Sequence, residues 1–318
     1  NVGSGLVTVT GTGSTWRITD PLIVGNFGSG TVNVDTGGTV ETERVTVGAA
    51  NGSEGFLNIS GGTTSWIASS EFIVGQEGSG TVNVSDGATV ESQTLVVGFE
   101  PTGFGQVTLT GPGTTWTTTA STGIGGDGVG HLRIEAGAAF DTVGVSFGTG
   151  SGTVTGAGSS LTASGQVFVG AGGESTFTVS DGASVTSVGA NIALGGTGTA
   201  TVTSGANWTS NSTFIVGHSG LGTLNVTDGG TVNTLDSVLG RFAAGVGILN
   251  VEGEGSSFVN TGNMGIGNEG TGALSITAGG TVAAQSVLLG MEAGSGGSAS
   301  ISGAGSSLTS NEFLLVGL

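Results

Sequence analysis

A short apolar stretch followed by glycine recurs thirteen times along this 318-residue chain, at intervals of 22 to 27 residues. Short and long intervals mostly alternate, so that two units make a super-repeat of about 50 residues, as GSGTVNVDTGGTV (28–40) and GSGTVNVSDGATV (78–90) show. A fixed period of this length is typical of repeat architectures, in which each unit buries its apolar face against its neighbours. The unit-ending glycines are Gly25, Gly48, Gly75, Gly98, Gly125, Gly148, Gly170, Gly195, Gly217, Gly240, Gly267, Gly290 and Gly317.

Each unit contains three short strand-like pieces joined by Gly-rich corners. In the unit that ends at Gly98, residues 81–85 alternate between polar and apolar, a second piece centres on Val90, and a third covers residues 95–97. A period of two indicates a half-buried strand, and a corner such as Asp86-Gly87 supplies turn conformations at low steric cost. No stretch shows the 3.6-residue period of a helix.

These features predict an all-β fold. We expect residues 1–318 to form one continuous domain, a single-stranded parallel β-helix of about 13 coils with three short strands per coil. Stacked coils would bury a continuous apolar core at a spacing of about 4.8 Å. The expected hand is right, because crossovers between parallel strands are almost always right-handed.

Composition excludes several classes of protein. The chain has 69 Gly and no Cys, and its 22 Asp and Glu against 4 Lys and Arg give a net charge of −18. The acidic excess argues against nucleic acid and anionic membranes as partners, and a chain without Cys has no disulfide framework. No apolar run reaches the 18 residues of a membrane-spanning helix. Asn1 falls partway through a unit, without a signal peptide, so we expect a mature or excised piece.

Small polar residues occupy the middle outward position of the first strand in nearly every unit. In-register Asn and Thr can hydrogen-bond up and down a stack, so the first interpretation is a structural ladder. The alternative is a flat Thr/Asn face that binds glycan, ice or another rod. The ladder positions are Thr8, Asn33, Asn58, Asn83, Thr108, Thr153, Thr178, Thr201, Asn225 and Asn250, followed by Ser275 and Ser300, with Arg133 as the exception.

A second column is aromatic or aliphatic and occurs once per super-repeat. Because Leu and Phe replace Trp at the same position, we expect these side chains to fill the core or a corner rather than to stack on sugars. The column comprises Trp16, Trp66, Trp116, Leu161, Trp208, Phe258 and Leu308.

One unit departs from the pattern. His131, Arg133 and Glu135 occupy successive outward positions of its first strand, and Asp127 and Asp141 are expected in flanking turns. Such a cluster is a candidate surface binding patch, and paired carboxylates could act as acid and base on a polysaccharide. The alternative is an Arg–Glu surface ion pair of little energetic value. Units of nearly constant length leave no long loop to wall a cleft, so we expect no catalytic residues.

No metal or cofactor is expected. Calcium-binding solenoids carry tandem GGxGxD repeats, and only Gly125-Gly126-Asp127 suggests one, once and out of pattern. No phosphate-binding loop, nucleophile elbow or zinc motif occurs.

The repeats resemble a known family. Units such as GSGTVNVSDGATVESQTLVVG (78–98) and GFLNISGGTTSWIASSEFIVG (55–75) are similar to the Gly-rich repeats of bacterial autotransporter passenger domains. This repeat class is shared by type V secreted proteins and PEP-CTERM surface proteins. The resemblance covers essentially the whole chain and implies a parallel β-helix that is exported and displayed on, or released from, a bacterial surface. It carries no catalytic residues over to this sequence.

We therefore predict an extracellular structural or adhesive rod, such as a stalk, an adhesin or a filament subunit, without catalytic activity. Its expected partners are further copies of itself, end to end or laterally, or a surface glycan or host ligand. One alternative is a β-helix that binds or degrades polysaccharide at His131, Arg133 and Glu135. Another is an ice-binding rod that uses the Thr/Asn column.

Overall fold

The computed structural model describes residues 3–317, and these residues form strands and turns without a helix. The chain divides into two compact units, Asn1–Thr162 and Ala163–Leu318. In each unit parallel strands stack turn upon turn, with seven turns in the first and six in the second. The predicted all-β solenoid of about 13 turns is thereby confirmed. Its right-handedness stays a prediction.

The first unit contains eighteen strands, the last of which ends one residue beyond it. They are β1 (Ser4–Thr10), β2 (Thr15–Arg17), β3 (Leu22–Val24), β4 (Ser29–Asp35), β5 (Thr39–Thr42), β6 (Val45–Val47), β7 (Glu54–Ser60), β8 (Ser65–Val74), β9 (Ser79–Ser85), β10 (Thr89–Val97), β11 (Phe104–Thr110), β12 (Thr115–Thr118), β13 (Thr122–Ile124), β14 (Val129–Glu135), β15 (Ala139–Thr142), β16 (Val145–Phe147), β17 (Gly150–Thr155) and β18 (Ser160–Ala163). The first strands of its turns form one parallel sheet in the order β1-β4-β7-β9-β11-β14-β17.

The second unit repeats this plan. Its strands are β19 (Gln166–Val169), β20 (Glu174–Ser180), β21 (Ser184–Ser187), β22 (Gly189–Ile192), β23 (Thr197–Val202), β24 (Asn207–Val216), β25 (Leu221–Thr227), β26 (Thr231–Leu239), β27 (Val246–Glu252), β28 (Ser257–Asn260), β29 (Asn263–Ile266), β30 (Thr271–Thr277), β31 (Thr281–Leu289), β32 (Gly296–Ser302) and β33 (Ser307–Val316). Its first strands pair in the order β20-β23-β25-β27-β30-β32.

The prediction of three separate strands per turn is correct for some turns only. In β8, β10, β24, β26, β31 and β33 the second and third pieces form one strand. The pairing register shifts inside such strands, between Ser92 and Thr94 for example. The corner between the two pieces is therefore a bulge, which bends a strand without ending it.

Alternation along the first strands fills the core. Leu57 and Ile59 of β7 are fully buried, as are Val82 and Val84 of β9, while the residues between them face outward. Each fully buried Val, Leu or Ile side chain contributes about 1.5–3 kcal/mol relative to an exposed one. The same pattern recurs in the first strands of the turns between β1 and β32, so the buried side chains of neighbouring turns form apolar columns within each unit.

The glycine that ends a unit lies where the third strand turns into the next first strand. Gly98 has a φ of 68°, a left-handed conformation that favours glycine. Gly105, near the start of β11, approaches the backbone so closely that a Cβ would clash with the carbonyl oxygen of Val74 and lie 2.7 Å from the Gly98 nitrogen. Both positions need glycine, which explains the recurring apolar–Gly signal.

In both units a hydroxyl joins long corners to the preceding short corner. Thr114 Oγ1 donates a hydrogen bond to the Thr110 carbonyl oxygen (2.9 Å) and accepts one from the Gly87 N–H (3.0 Å). Ser306 in the second unit makes the same two bonds, with Ser302 and Gly279. We call this arrangement the corner interlock. It satisfies buried backbone groups that the turns would otherwise leave unpaired.

Candidate functional site

The ladder residues lie in register on the outward side of the first strands. Asn33, Asn58 and Asn83 stack on successive turns. Asn58 Nδ2 donates to Asn33 Oδ1 at 2.9 Å, and Asn83 Nδ2 donates to Asn58 Oδ1 at 3.0 Å. Asn250 donates to Asn225 in the same way at 2.9 Å. These hydrogen bonds between side-chain amides connect neighbouring turns along an accessible surface.

The remaining ladder residues continue the two columns. In the first unit Thr8 pairs with Asn33, and Asn83, Thr108, Arg133 and Thr153 follow one another. In the second unit the column runs through Thr178, Thr201, Asn225, Asn250, Ser275 and Ser300. All of them, including Arg133, are half-buried or exposed.

The tryptophan column lies largely in the core. Trp66, Trp116 and Trp208 are fully buried, and each indole N–H donates to a hydroxyl of the preceding turn, on Thr42, Ser92 and Ser187 respectively. Leu161 and Phe258 are buried as well, whereas Trp16 and Leu308 are half-buried. Fully buried rings with satisfied N–H groups have no face to offer a sugar.

His131, Arg133 and Glu135 share the outward side of β14. Arg133 Nε donates to Glu135 Oε2 at 2.6 Å, an exposed ion pair. The Nδ1 atom of His131 lies 2.8 Å from Ser151 Oγ, and its ring centroid is 5.5 Å from that of Phe104. Burial lowers the pKa of His131, so the ring is neutral at pH 7.

The two aspartates do not complete this cluster. Asp127 is exposed in the turn before β14, as expected, but Asp141 lies within β15 rather than in a flanking turn. Its backbone pairs with Thr117, in the set of second strands. Alternation in β15 puts Phe140 inward and Asp141 outward, which is why a carboxylate fits inside that strand.

The four arginines differ in their partners. Arg17 pairs with Glu41 at 2.7 Å and Arg44 pairs with Glu71, both across neighbouring turns, and Arg133 pairs with Glu135. Arg241 has no carboxylate within 4 Å among the described residues; its guanidinium carbon lies 5.4 Å from the centre of the Phe242 ring. It is a cation without a carboxylate partner in a strongly acidic chain.

Arg241 lies where two cavities of the second unit adjoin. They measure about 270 and 330 Å³, open to solvent, and share Thr213 and Arg241 in their linings. The first is also lined by Gln166, Phe168, Asn191, Ser212 and His218. The second is also lined by Asp236, Asn263, Asn268, Leu288 and Met291. We call the pair the Arg241 groove.

Sequence reasoning missed this groove. Its floor is the outward column of the third strands, where Ile215 and Asn191 are buried despite pointing away from the core. Its histidine and arginine directly follow unit-ending glycines, as His218 follows Gly217 and Arg241 follows Gly240. The available signal was the change to His and Arg at a position that carries no cation in the first seven units.

Comparison of the chain with known family models, curated proteins and solved structures finds no match. Within residues 3–317 no group of three or more His, Asp or Glu side chains is placed to hold a metal ion. The same residues include no helix with the length and apolar character that crossing a membrane requires. The fold therefore defines the class, a parallel β-solenoid, and function is argued from its surfaces.

Proposed function

We propose that this chain is a structural and adhesive β-solenoid that acts outside the cell and binds through its side faces. The observation that carries the proposal is the in-register ladder of Asn33, Asn58 and Asn83, which repeats one surface group on three successive turns. A repeating surface suits a ligand that itself repeats, such as a polysaccharide. The resemblance to exported passenger repeats supports an extracellular location.

The internal bonding supports a load-bearing role. Corner interlocks, amide ladders and indole–hydroxyl bonds all connect one turn to the next. In repeat proteins stability is approximately a sum of such nearest-neighbour terms. These bonds keep the turns of the chain in register.

The proposal assigns no catalytic step to the patch on β14. Arg133 and Glu135 neutralise each other, and Asp141 belongs to a different set of strands. Hydrolysis of a glycosidic bond by an acid and a base needs two carboxylates on either side of that bond. Binding at this patch is compatible with the geometry.

The test is retention and turnover on one set of polysaccharides. The purified chain is applied to immobilised neutral and acidic polysaccharides, and retained protein and released reducing ends are both measured. We expect retention without release. Release that disappears in Glu135→Gln would replace the proposal with the enzyme alternative, and absence of retention on every surface would remove the adhesive function. Thermal hysteresis of the same samples would favour ice binding instead.

A further inference from the structure

We propose that the Arg241 groove binds an acidic saccharide, with a sugar carboxylate on the Arg241 guanidinium and the next, uncharged ring in the adjoining cavity. The proposal names a ligand for the adhesive function, and only its biological role rests on that function. Binding of a saccharide to this groove is measurable whether or not the chain acts as an adhesin.

The positive charge of Arg241 favours an anionic ligand. Three of the four arginines already have a glutamate partner, whereas Arg241 has none within 4 Å among the described residues. Guanidinium groups bind carboxylates through two parallel hydrogen bonds, which are among the stronger polar contacts in proteins. The lining of the first cavity contains no Asp or Glu that would compete for Arg241 or repel an anion.

Neighbouring groups hold Arg241 in place. Its backbone N–H donates to the Gly217 carbonyl oxygen at 3.0 Å, and its own carbonyl accepts from Asn268 Nδ2 at 3.2 Å. The Phe242 ring lies beneath the guanidinium and also contacts the His218 ring, at a centroid distance of 4.8 Å. Burial, and secondarily the charge of Arg241, lowers the pKa of His218. His218 is therefore a neutral hydrogen-bonding group at pH 7.

The first cavity has the mixture of groups that a sugar ring requires. Ser212 and Thr213 offer hydroxyls, and the half-buried Phe168 offers an apolar surface. Gln166 and Asn191 are joined by a hydrogen bond of 2.6 Å, which fixes both amides at the cavity wall. Sites for small ligands combine apolar walls with a few fixed polar groups in this way.

The second cavity selects a ring without charge. Asp236 lies in its lining, and its Oδ1 accepts a hydrogen bond from the Asn263 N–H at 2.8 Å, so the carboxylate is held in place. A second anionic ring there would be repelled by Asp236. Ligand sites commonly measure about 300–1,000 Å³, so the two cavities, of about 270 and 330 Å³, lie near the lower end of that range and together have room for two rings. The geometry points to a saccharide in which acidic and neutral rings alternate.

Isothermal titration calorimetry of the whole chain with a hyaluronan hexasaccharide tests the proposal, because glucuronate and a neutral amino sugar alternate in that probe. We expect binding that weakens about tenfold or more when the carboxylates are methyl-esterified, a change that keeps the rings and removes the charge. A galacturonate hexamer, acidic at every ring, should bind more weakly, and citrate should not compete at equal carboxylate concentration.

Three variants locate the site. Arg241→Gln should weaken binding about tenfold or more, and Arg241→Lys, which keeps the charge and loses the two-pronged geometry, should fall between it and the unaltered chain. Arg17→Gln makes the same change of net charge at an exposed Arg–Glu pair of the first unit and should leave the affinity unchanged. Thermal unfolding of each variant confirms that it is folded.

Several outcomes overturn the proposal. They are absence of binding by the folded, unaltered chain, equal affinity for the esterified probe, equal affinity of Arg241→Gln, and a loss in Arg17→Gln instead. None of these outcomes contradicts the structural role of the chain. Retention on other polysaccharides with no binding at Arg241 would likewise leave the adhesive function standing and remove only this site.

Discussion

Single hydroxyl groups determine how the corners of this solenoid are held. Thr114 Oγ1 is fully buried and acts at once as donor to Thr110 and acceptor from Gly87. Threonine and serine both supply such an atom, which is why either residue occurs at this corner position. An aliphatic residue of the same size would remove the hydroxyl partner of two half-buried backbone groups.

We expect Thr114→Val to lower the free energy of unfolding by about 1–3 kcal/mol, the usual effect of leaving buried polar groups unsatisfied. Thr114→Ser keeps both hydrogen bonds and is the matched control. Urea unfolding followed by circular dichroism measures the difference. Equal losses in the two variants would assign the effect to packing of the methyl group instead.

The buried indole of Trp116 permits a second comparison. Trp116→Ala should cost about 3–5 kcal/mol, because a large cavity forms and the hydroxyl of Ser92 loses its partner. Trp16→Ala changes the same column where the ring is only half-buried, and should cost clearly less. Chemical denaturation of both variants ranks them; the reverse order would mean that the column does not form the core.

Histidine 131 should make stability depend on pH. Burial lowers its folded-state pKa below the unfolded value of about 6.5, so the unfolded chain binds the proton more readily. The free energy of unfolding should therefore fall as pH decreases through that range. Urea unfolding between pH 8 and pH 5 measures it, and His131→Gln should show a shallower decrease. Identical pH profiles would contradict the expected shift.

At the scale of one strand, close backbone approach decides which residues are allowed. Where a side chain of Gly105 in β11 would begin, the Val74 carbonyl oxygen of β8 and the nitrogen of Gly98, which directly follows β10, lie within 2.7 Å. Gly123 of β13 has nothing within 4 Å of that position and no left-handed φ. Two glycines in neighbouring elements thus have opposite tolerance for the same substitution.

Gly105→Ala should be strongly destabilising, by more than the 1–3 kcal/mol typical of overpacking, since the clash is with backbone and a side-chain rotation cannot relieve it. Gly123→Ala should change the unfolding free energy by less than about 1 kcal/mol. Thermal denaturation of both variants decides the matter. A tolerated alanine at Gly105 would mean that the backbones of β8 and β11 are separated by enough space for a Cβ atom.

The whole molecule carries a net charge of −18 with few ion pairs to offset it. Like charges destabilise a compact state through self-repulsion, and salt screens them. The unfolding free energy should rise when sodium chloride is increased from about 0.01 M to about 0.15 M, where the screening length falls from about 30 to about 8 Å. A decrease with salt would show that the exposed Arg–Glu pairs outweigh the repulsion.

Much of the fold was predictable because every turn repeats the same chemistry. Alternation at Val82 and Val84 and the glycines at each unit end encode strand, face and corner locally. The Arg241 groove was not predictable in this way, since its cavities combine residues from several turns and depend on which outward side chains cover the third strands. Asp141 was misplaced because a surface carboxylate is equally compatible with a turn and with the outward side of a strand.

The corner interlock also affects how slowly the Asp-Gly bonds of this chain isomerise. Asp-Gly bonds are the peptide bonds most prone to isomerise, through attack of the following nitrogen on the aspartate carboxyl group to form a succinimide. At Asp86 and Asp228 that nitrogen, of Gly87 and Gly229, is engaged with a hydroxyl at 3.0 Å. The hydrogen bond that shapes each corner therefore restrains the nucleophile, and isoaspartate should accumulate at these bonds only when the solenoid unfolds.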